Sequence, residues 1–310
     1  MNSSRRVKAR SQRQTFGEWR HWGLVLISPW LIGFLLFKLI PILASLVLSL
    51  TNFYLLEPKQ FQYVGFENYI LNLHDADMYT ALNRTVKLAL MIIPVQVIAS
   101  VVIAALLSNK RLLAKNMMRT LFFLPSIIPS VAFMFMWQGF VNPTSGWLNR
   151  LFLGPLGLES LNRFSGRGAG ESLFILSSFW SLGPGMLILM GAMQGISHEI
   201  YEAAQMDGAG RLRRFFFITL PLVTPALFFT LILNLTAVFG GAIMLDRGYT
   251  YDSNLSSYDS YIYFTLFRLF KLGRATSLAW IFFVFVMAIV ITLFITSKYW
   301  VYYPEPERRS

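Results

Sequence analysis

The chain has 310 residues, 55% of them hydrophobic, 16% aromatic and only 14% charged, whereas a soluble domain carries about 25% charged residues. The formal net charge is +12 and cysteine is absent, which excludes a disulfide framework, a thiolate metal site and a cysteine nucleophile. Glycine is nowhere followed by lysine, so a phosphate-binding loop of the G-x-x-x-x-G-K type, and with it an ATPase of the chain's own, is excluded too.

Apolar runs recur at about 20 residues, the length at which a helix crosses about 30 Å of hydrocarbon. Lipid offers no partner to an unpaired backbone group, and the alternating segments of a β-barrel, each about ten residues, are missing. The expected fold is therefore an all-α membrane protein with six transmembrane helices, at about 23–51, 86–108, 120–141, 172–196, 215–245 and 277–301.

In chain order, a basic arm over residues 1–22, with the run SSRRVKARSQRQ, comes first. The span after it is too long for the apolar core of a secretory signal and lacks a small-residue cleavage site, so it stays uncleaved. Lys38 lies inside it. Such a charge is either functional or, in a span long enough to tilt, a snorkelling stem. An outer segment, 52–85, carries VGFENYI, and a second, 142–171, reads GRGAGE near its end as a flexible loop. Pro29, Pro41, Pro94, Pro125, Pro129, Pro184, Pro221 and Pro225 fall within spans. They fit ordinary kinks that neighbouring helices accommodate, and equally broken helices around a cavity near the bilayer centre. Tyr249, Tyr251, Tyr258, Tyr261 and Tyr263 are placed to form an interfacial belt, ahead of the last span and a short tail at 304–310.

Lysine and arginine set the orientation. With the amino terminus inside, the inner segments hold 16 basic and six acidic residues, and the outer segments, with Lys87 at the outer end of the second span, ten and nine. Both termini are expected in the cytoplasm, and the basic surplus is an orientation signal rather than a nucleic-acid surface.

That topology puts the least apolar link, YEAAQMDGAGRLRRFFFITLPLVTP at 201–225, on the cytoplasmic side. Ser197 can cap a helix whose first turn carries Glu199 and Glu202, acids suited to a positive helix end. Ile200, Ala203 and Ala204 stand at i, i+3 and i+4 as a narrow stripe. Gly208 supplies a left-handed stop and Gly210 loosens the chain further. Such a short amphipathic helix can rest among lipid headgroups or pack in a protein groove. The small side chains of Ala203 and Ala204 suit the groove better than the bulky residues of a lipid-binding face.

This stretch resembles the EAA signature of ABC importer permeases, E-A-A-x3-G-x9-I-x-L-P, with Glu202, Ala203, Ala204, Gly208, Ile218, Leu220 and Pro221 at its spacing. VGFENYI, MMRTLFFLPSIIP, WQGFVNP, FWSLGPGM and YIYFTLFRLFKLGRATSLA are similar, in order, to segments of maltose-type and glycerol-phosphate-type sugar permeases, so the resemblance runs from about residue 30 to residue 279. It implies a type I ABC importer permease fold over 23–303, in a bacterial plasma (inner) membrane. The subunit would pair with a second, homologous permease, two copies of a cytoplasmic ABC ATPase and an extracytoplasmic solute-binding protein. The coupling helix, about 197–208, would dock in the ATPase through Glu202, Ala203, Ala204, Asp207 and Gly208. No cofactor is expected in this chain; ATP and Mg would be bound by the ATPase, and the chain itself would not be an enzyme. One departure stands out: relatives carry a T-x-G-G-P-like stretch after the fifth span, whereas this chain has FGGAIMLDRGYTYDSN.

By the same resemblance, a solute pathway would use Ser178, Ser181, Leu182 and Gly185 in the fourth span and Thr236, Phe239 and Gly240 in the fifth. Hydroxyls with one aromatic ring suit a sugar or related polyol, although serine and glycine in spans also serve helix packing. A secondary transporter would need ion-binding carboxylates within the spans, and none lies there short of Asp246, at an outer end. His21, His74 and His198 are far apart and no H-E-x-x-H occurs, so an intramembrane metalloprotease finds no support.

Overall fold

The computed structural model describes residues 23, 25–108, 112, 114–142, 145–157, 182–242 and 257–303. Among them the architecture is helical throughout: α1 Val25–Ser49, α2 Glu67–Leu73, α3 Ala76–Ser108, α4 Lys115–Phe123, α5 Ser130–Val141, α6 Gly183–Gln194, α7 His198–Met206, α8 Arg211–Leu222, α9 Thr224–Gly240, α10 Tyr258–Phe267 and α11 Leu272–Trp300. The described residues contain no β-strand beyond two isolated antiparallel bridges, Thr51 with Tyr63 and Tyr54 with Lys271. α1, α3 and α11 are each long and apolar enough to cross a membrane, and the bent pair α8–α9 makes a fourth candidate.

The expected spans map onto these helices with differences that proline and capping explain. The 120–141 span is two helices, because Pro125 and Pro129 interrupt it. Leu124–Ile127 tightens into a 3-10 turn and Ile128 is extended (φ −71°, ψ 128°) before Pro129, as a residue preceding proline prefers. α3 begins ten residues ahead of the expected 86, at Ala76, where the Asp75 side chain accepts the Asp77 N–H at 3.0 Å as an N-terminal cap. α6 starts at Gly183 with Pro184 in its first turn; the earlier part of the 172–196 span lies outside the described residues.

Two of these helices contain a π turn just ahead of a proline, as does the short segment Asn149–Leu153 before Pro155. Leu35–Leu39 closes with the Ile40 N–H on Leu35 O before Pro41, and Phe215–Thr219 closes with the Leu220 N–H on Phe215 O before Pro221. Proline donates no hydrogen bond to the carbonyl four residues back and its ring crowds that carbonyl. A wider turn on the N-terminal side accommodates both effects.

The described residues divide into two compact units. In one, which holds the chain up to Asn72 together with Thr265–Trp280, buried asparagines tie irregular backbone together. Asn68 Nδ2 donates to Ser49 O (2.9 Å) and Thr51 O (2.7 Å). Asn72 is fully buried; it donates to Ser277 Oγ at 2.8 Å and accepts from Arg274 Nε at 2.8 Å. Gly273 lies directly on the Thr51 carbonyl, 1.9 Å from where a Cβ would stand. α2, which carries both asparagines, thus secures the start of α11.

The second unit, Leu73–Phe264 and Ile281 onward, has a core of Val101, Ala104, Leu107, Met186, Leu189, Met190, Met193 and Val223 from α3, α6 and the α8–α9 junction. Tyr258 is fully buried, stacked on Phe282 at 4.5 Å, and its backbone N–H donates to Thr85 Oγ1 at 2.9 Å. Beside it Asp259, outside the predicted spans, has Oδ2 buried without a hydrogen-bond partner, and burial raises its carboxyl from 3.8 to about 6. Since the folded state holds this proton more tightly than the unfolded chain, the cost of ionising it is absent below about pH 4. The cost accumulates as pH rises to about 6 and is complete above that. At about 1.4 kcal/mol per tenfold change in proton affinity, it reaches at most about 3 kcal/mol. Asp259→Asn is therefore expected to raise the thermal midpoint in detergent at pH 7.5 by several degrees, with a smaller gain at pH 5. An equal gain at both pH values would show that ionisation of Asp259 is not the cause.

Candidate functional site

The 197–208 helix lies at the surface. α7 has no buried residue. Ile200 and Met206 are exposed, Met206 at 89%, and Ala204 is half-buried while Glu202 and Ala203 are exposed. Ser197 occupies the N-cap position with extended backbone (φ −60°, ψ 144°), but its side chain makes no capping bond. The C-terminal end is closed more firmly. Gly208 has φ +75°, its N–H donates to Gln205 O at 3.0 Å, and the Ala209 N–H donates to Ala204 O at 2.9 Å. That pair of bonds is the Schellman motif, and its left-handed residue favours glycine. Gly210 caps the start of α8 and so serves as a helix boundary rather than as slack.

Two contacts that the sequence did not announce fix α7 against α8. Tyr201 OH and Thr219 Oγ1 are 2.8 Å apart, and Arg214 Nη1 donates to Gln205 Oε1 at 3.4 Å. Both residue pairs lie within the motif stretch, but the bonds between them depend on the turn at Gly208. Between α7 and α8 a cleft of about 220 Å³ is lined by Ala204, Asp207, Ala209, Arg213, Arg214, Phe217 and Ile218. Glu202, Ala203, Ala204, Asp207 and Gly208 therefore belong to one small exposed projection with basic residues at its base. Among the described residues no cluster of histidine, aspartate and glutamate could hold a metal ion.

The structure does not gather the pathway candidates in the same way. Ser178 and Ser181 lie outside the described residues. Leu182 is 5% exposed, at the N-cap of α6. Gly185 faces Thr230 Cγ2 of α9 and Ser100 Oγ of α3, 2.9 and 3.1 Å from a built Cβ. Phe239 is buried edge-on against Phe282 (5.8 Å) and Phe285 (6.3 Å). Thr236 is exposed and spends its hydroxyl on Ile232 O. Gly240 is exposed with no atom within 4 Å of a built Cβ. Lys38 is exposed in α1.

Comparison with known proteins gives consistent results. Residues 96–303 match the family described as "Binding-protein-dependent transport system inner membrane component". The chain is 34% identical over 294 residues to the probable ABC transporter permease protein YesP of Bacillus subtilis (strain 168), covering 92% of this chain and 93% of that one. It is 30% identical to the lactose transport system permease protein LacF of Rhizobium radiobacter, covering 74% of this chain and 75% of that one. Its fold is that of a chain in the crystal structure of a bacterial alginate ABC transporter in complex with an alginate pentasaccharide-bound periplasmic protein. The TM-score there is 0.77 and the identity 21%, over 92% of this chain and 96% of that one.

Proposed function

Because the chain belongs to the inner membrane components of binding-protein-dependent transport systems, we propose that it is the permease subunit of an ATP-driven importer for a sugar, oligosaccharide or related polyol. It forms half of the translocation pathway and is a transport subunit, not an enzyme. Six spans with both termini in the cytoplasm complete the reading, in the bacterial inner membrane. Its partners are a second, homologous permease, two copies of a cytoplasmic ATPase that binds ATP and Mg, and an extracytoplasmic solute-binding protein.

The observation that carries this reading is α7. It is a helix of nine residues with no buried side chain, closed by a glycine in the left-handed region and tethered to the next helix through Tyr201. An exposed, rigidly ended helix with small side chains suits insertion into a protein groove. Nucleotide-driven closure of the ATPases then becomes a displacement of α7, with Glu202 making the polar contacts, Ala203 and Ala204 the close packing and Gly208 the turn. The carbohydrate class is supported by relatives such as LacF, whose name assigns it to lactose.

Mild detergent purification through a tag on this chain, with mass spectrometry of what accompanies it, tests the reading. A second permease is expected in an amount near-equal to this chain, and an ABC ATPase at about twice that amount. A chain that purifies alone under several mild conditions would return weight to an ion-coupled secondary transporter and leave α7 without its assigned role.

A further inference from the structure

We propose that Thr224 is a positioning residue through which movement of the cytoplasmic elbow is carried into the last helix; this rests on the docking role assigned to α7. α8 and α9 meet at a bend of 67°. Val223 at the bend is fully buried (φ −95°, ψ 2°), so the corner is set by packing. Prolines stand on both sides of it. Pro225 has no N–H, so the Pro221 carbonyl lacks the donor four residues on and takes a backbone N–H at the corner instead. The Thr224 hydroxyl adds a second proton, Oγ1 donating to Pro221 O at 2.6 Å. The same oxygen then accepts the backbone N–H of Tyr302 at 2.8 Å, across 78 residues of sequence.

Tyr302 follows directly on α11, whose end is closed by the Val301 N–H on Ser297 O at 2.8 Å. One turn further along α9, Phe228 lies edge-on to Phe294 (5.0 Å, 87°) and Trp300 (5.5 Å, 73°). These rings hold α11 to α9 beyond the corner, while Thr224 holds it at the corner itself. A displacement of α7 and α8 that turns the elbow therefore draws the end of α11 with it. Without the hydroxyl, the Pro221 carbonyl and the Tyr302 N–H lose their shared partner, and the elbow can hinge at Val223 while α11 stays in place.

The natural absence of cysteine permits a direct test in the complex purified with its ATPase. Met206→Cys and Tyr299→Cys, at positions 89% and 79% exposed, are made separately and labelled with an environment-sensitive fluorophore. The complex containing the unsubstituted chain serves as the blank, and ATP with vanadate provides the stimulus. With threonine at 224, both labels should shift. Thr224→Val keeps the side-chain volume and removes the hydroxyl, and should cut the Tyr299 response at least threefold while leaving the Met206 response in place. Thr224→Ser should preserve both. A Tyr299 response that survives in Thr224→Val, or that is absent with threonine present, overturns the proposal. Loss of both responses in Thr224→Val would mean that the hydroxyl merely holds the fold, and overturns it as well. If neither label responds in the native background, the docking role of α7 is what fails.

Discussion

A Gly273→Ala variant is expected to leave little folded protein in the membrane, the largest stability loss that an added methyl group should cause at any of the described glycines. The added Cβ would stand 1.9 Å from Thr51 O and 3.0 Å from Thr51 C. Both are backbone atoms, so no rotamer change relieves the overlap. The segment has little freedom to retreat, because the Gly273 N–H donates to Phe53 O at 3.2 Å and Asn68 Nδ2 donates to Thr51 O at 2.7 Å. Overpacking a well-fitted core costs about 1–3 kcal/mol where side chains can yield; against fixed backbone the cost should exceed about 4 kcal/mol. Tagged protein in the membrane fraction, followed by its size-exclusion profile in detergent, measures the effect. Gly191→Ala serves as the control, since nothing lies within 4 Å of its Cβ position. Equal recovery of the two variants would mean that the contact between Gly273 and Thr51 is not fixed.

Glu202→Ala and Gly208→Val should leave the chain folded and cut transport at least tenfold. Gly208 sits at φ +75° with open space around it, so the cost of substitution is conformational, about 1–2 kcal/mol for an ordinary side chain in the left-handed region and more for a β-branched one. That cost falls on the Schellman closure of α7, which loosens the end of the docking helix without disturbing the core. Glu202 is exposed, and its removal takes away a charge that the protein's own interior does not use. Both variants should retain ATP hydrolysis in the assembled complex and solute binding by the receptor, with fewer solutes moved per ATP. Wild-type transport by both would remove α7 from the coupling path. Loss of the ATPase from the complex would instead identify these residues as anchors.

What the sequence revealed, and what it withheld, follows from the range of the forces involved. The C-terminal end of α7 was legible because capping is local: Gly208 lies within a few residues of the groups it serves, whereas Ser197 stands at the N-cap without a capping bond. Hydropathy located the apolar stretches, but it reports affinity for lipid or core without saying which. Phe239 packs edge-on to Phe282 and Gly185 lies close to Ser100 and Thr230, contacts that hydropathy does not announce. The prolines near 125 and 129 announced an interruption, yet a kink and a complete break differ only in whether neighbouring backbone re-pairs. The Thr224–Tyr302 and Tyr201–Thr219 bonds carried no sequence signal at all, because each joins a common residue type to a partner chosen by the fold.

The π turn at Phe215–Thr219 has a consequence for relatives of different length. A π turn holds one residue more than the α-helical turn it replaces. Deleting a single residue there would therefore let the helix rewind as an ordinary one with the parts on either side keeping their relative direction. Rewinding the same residues as an α-helix without a deletion would instead swing Arg211–Arg214 and the attached α7 by about 100° around the axis, the angle that one residue occupies. A one-residue gap in this short stretch would thus leave the direction from which a partner must approach unchanged.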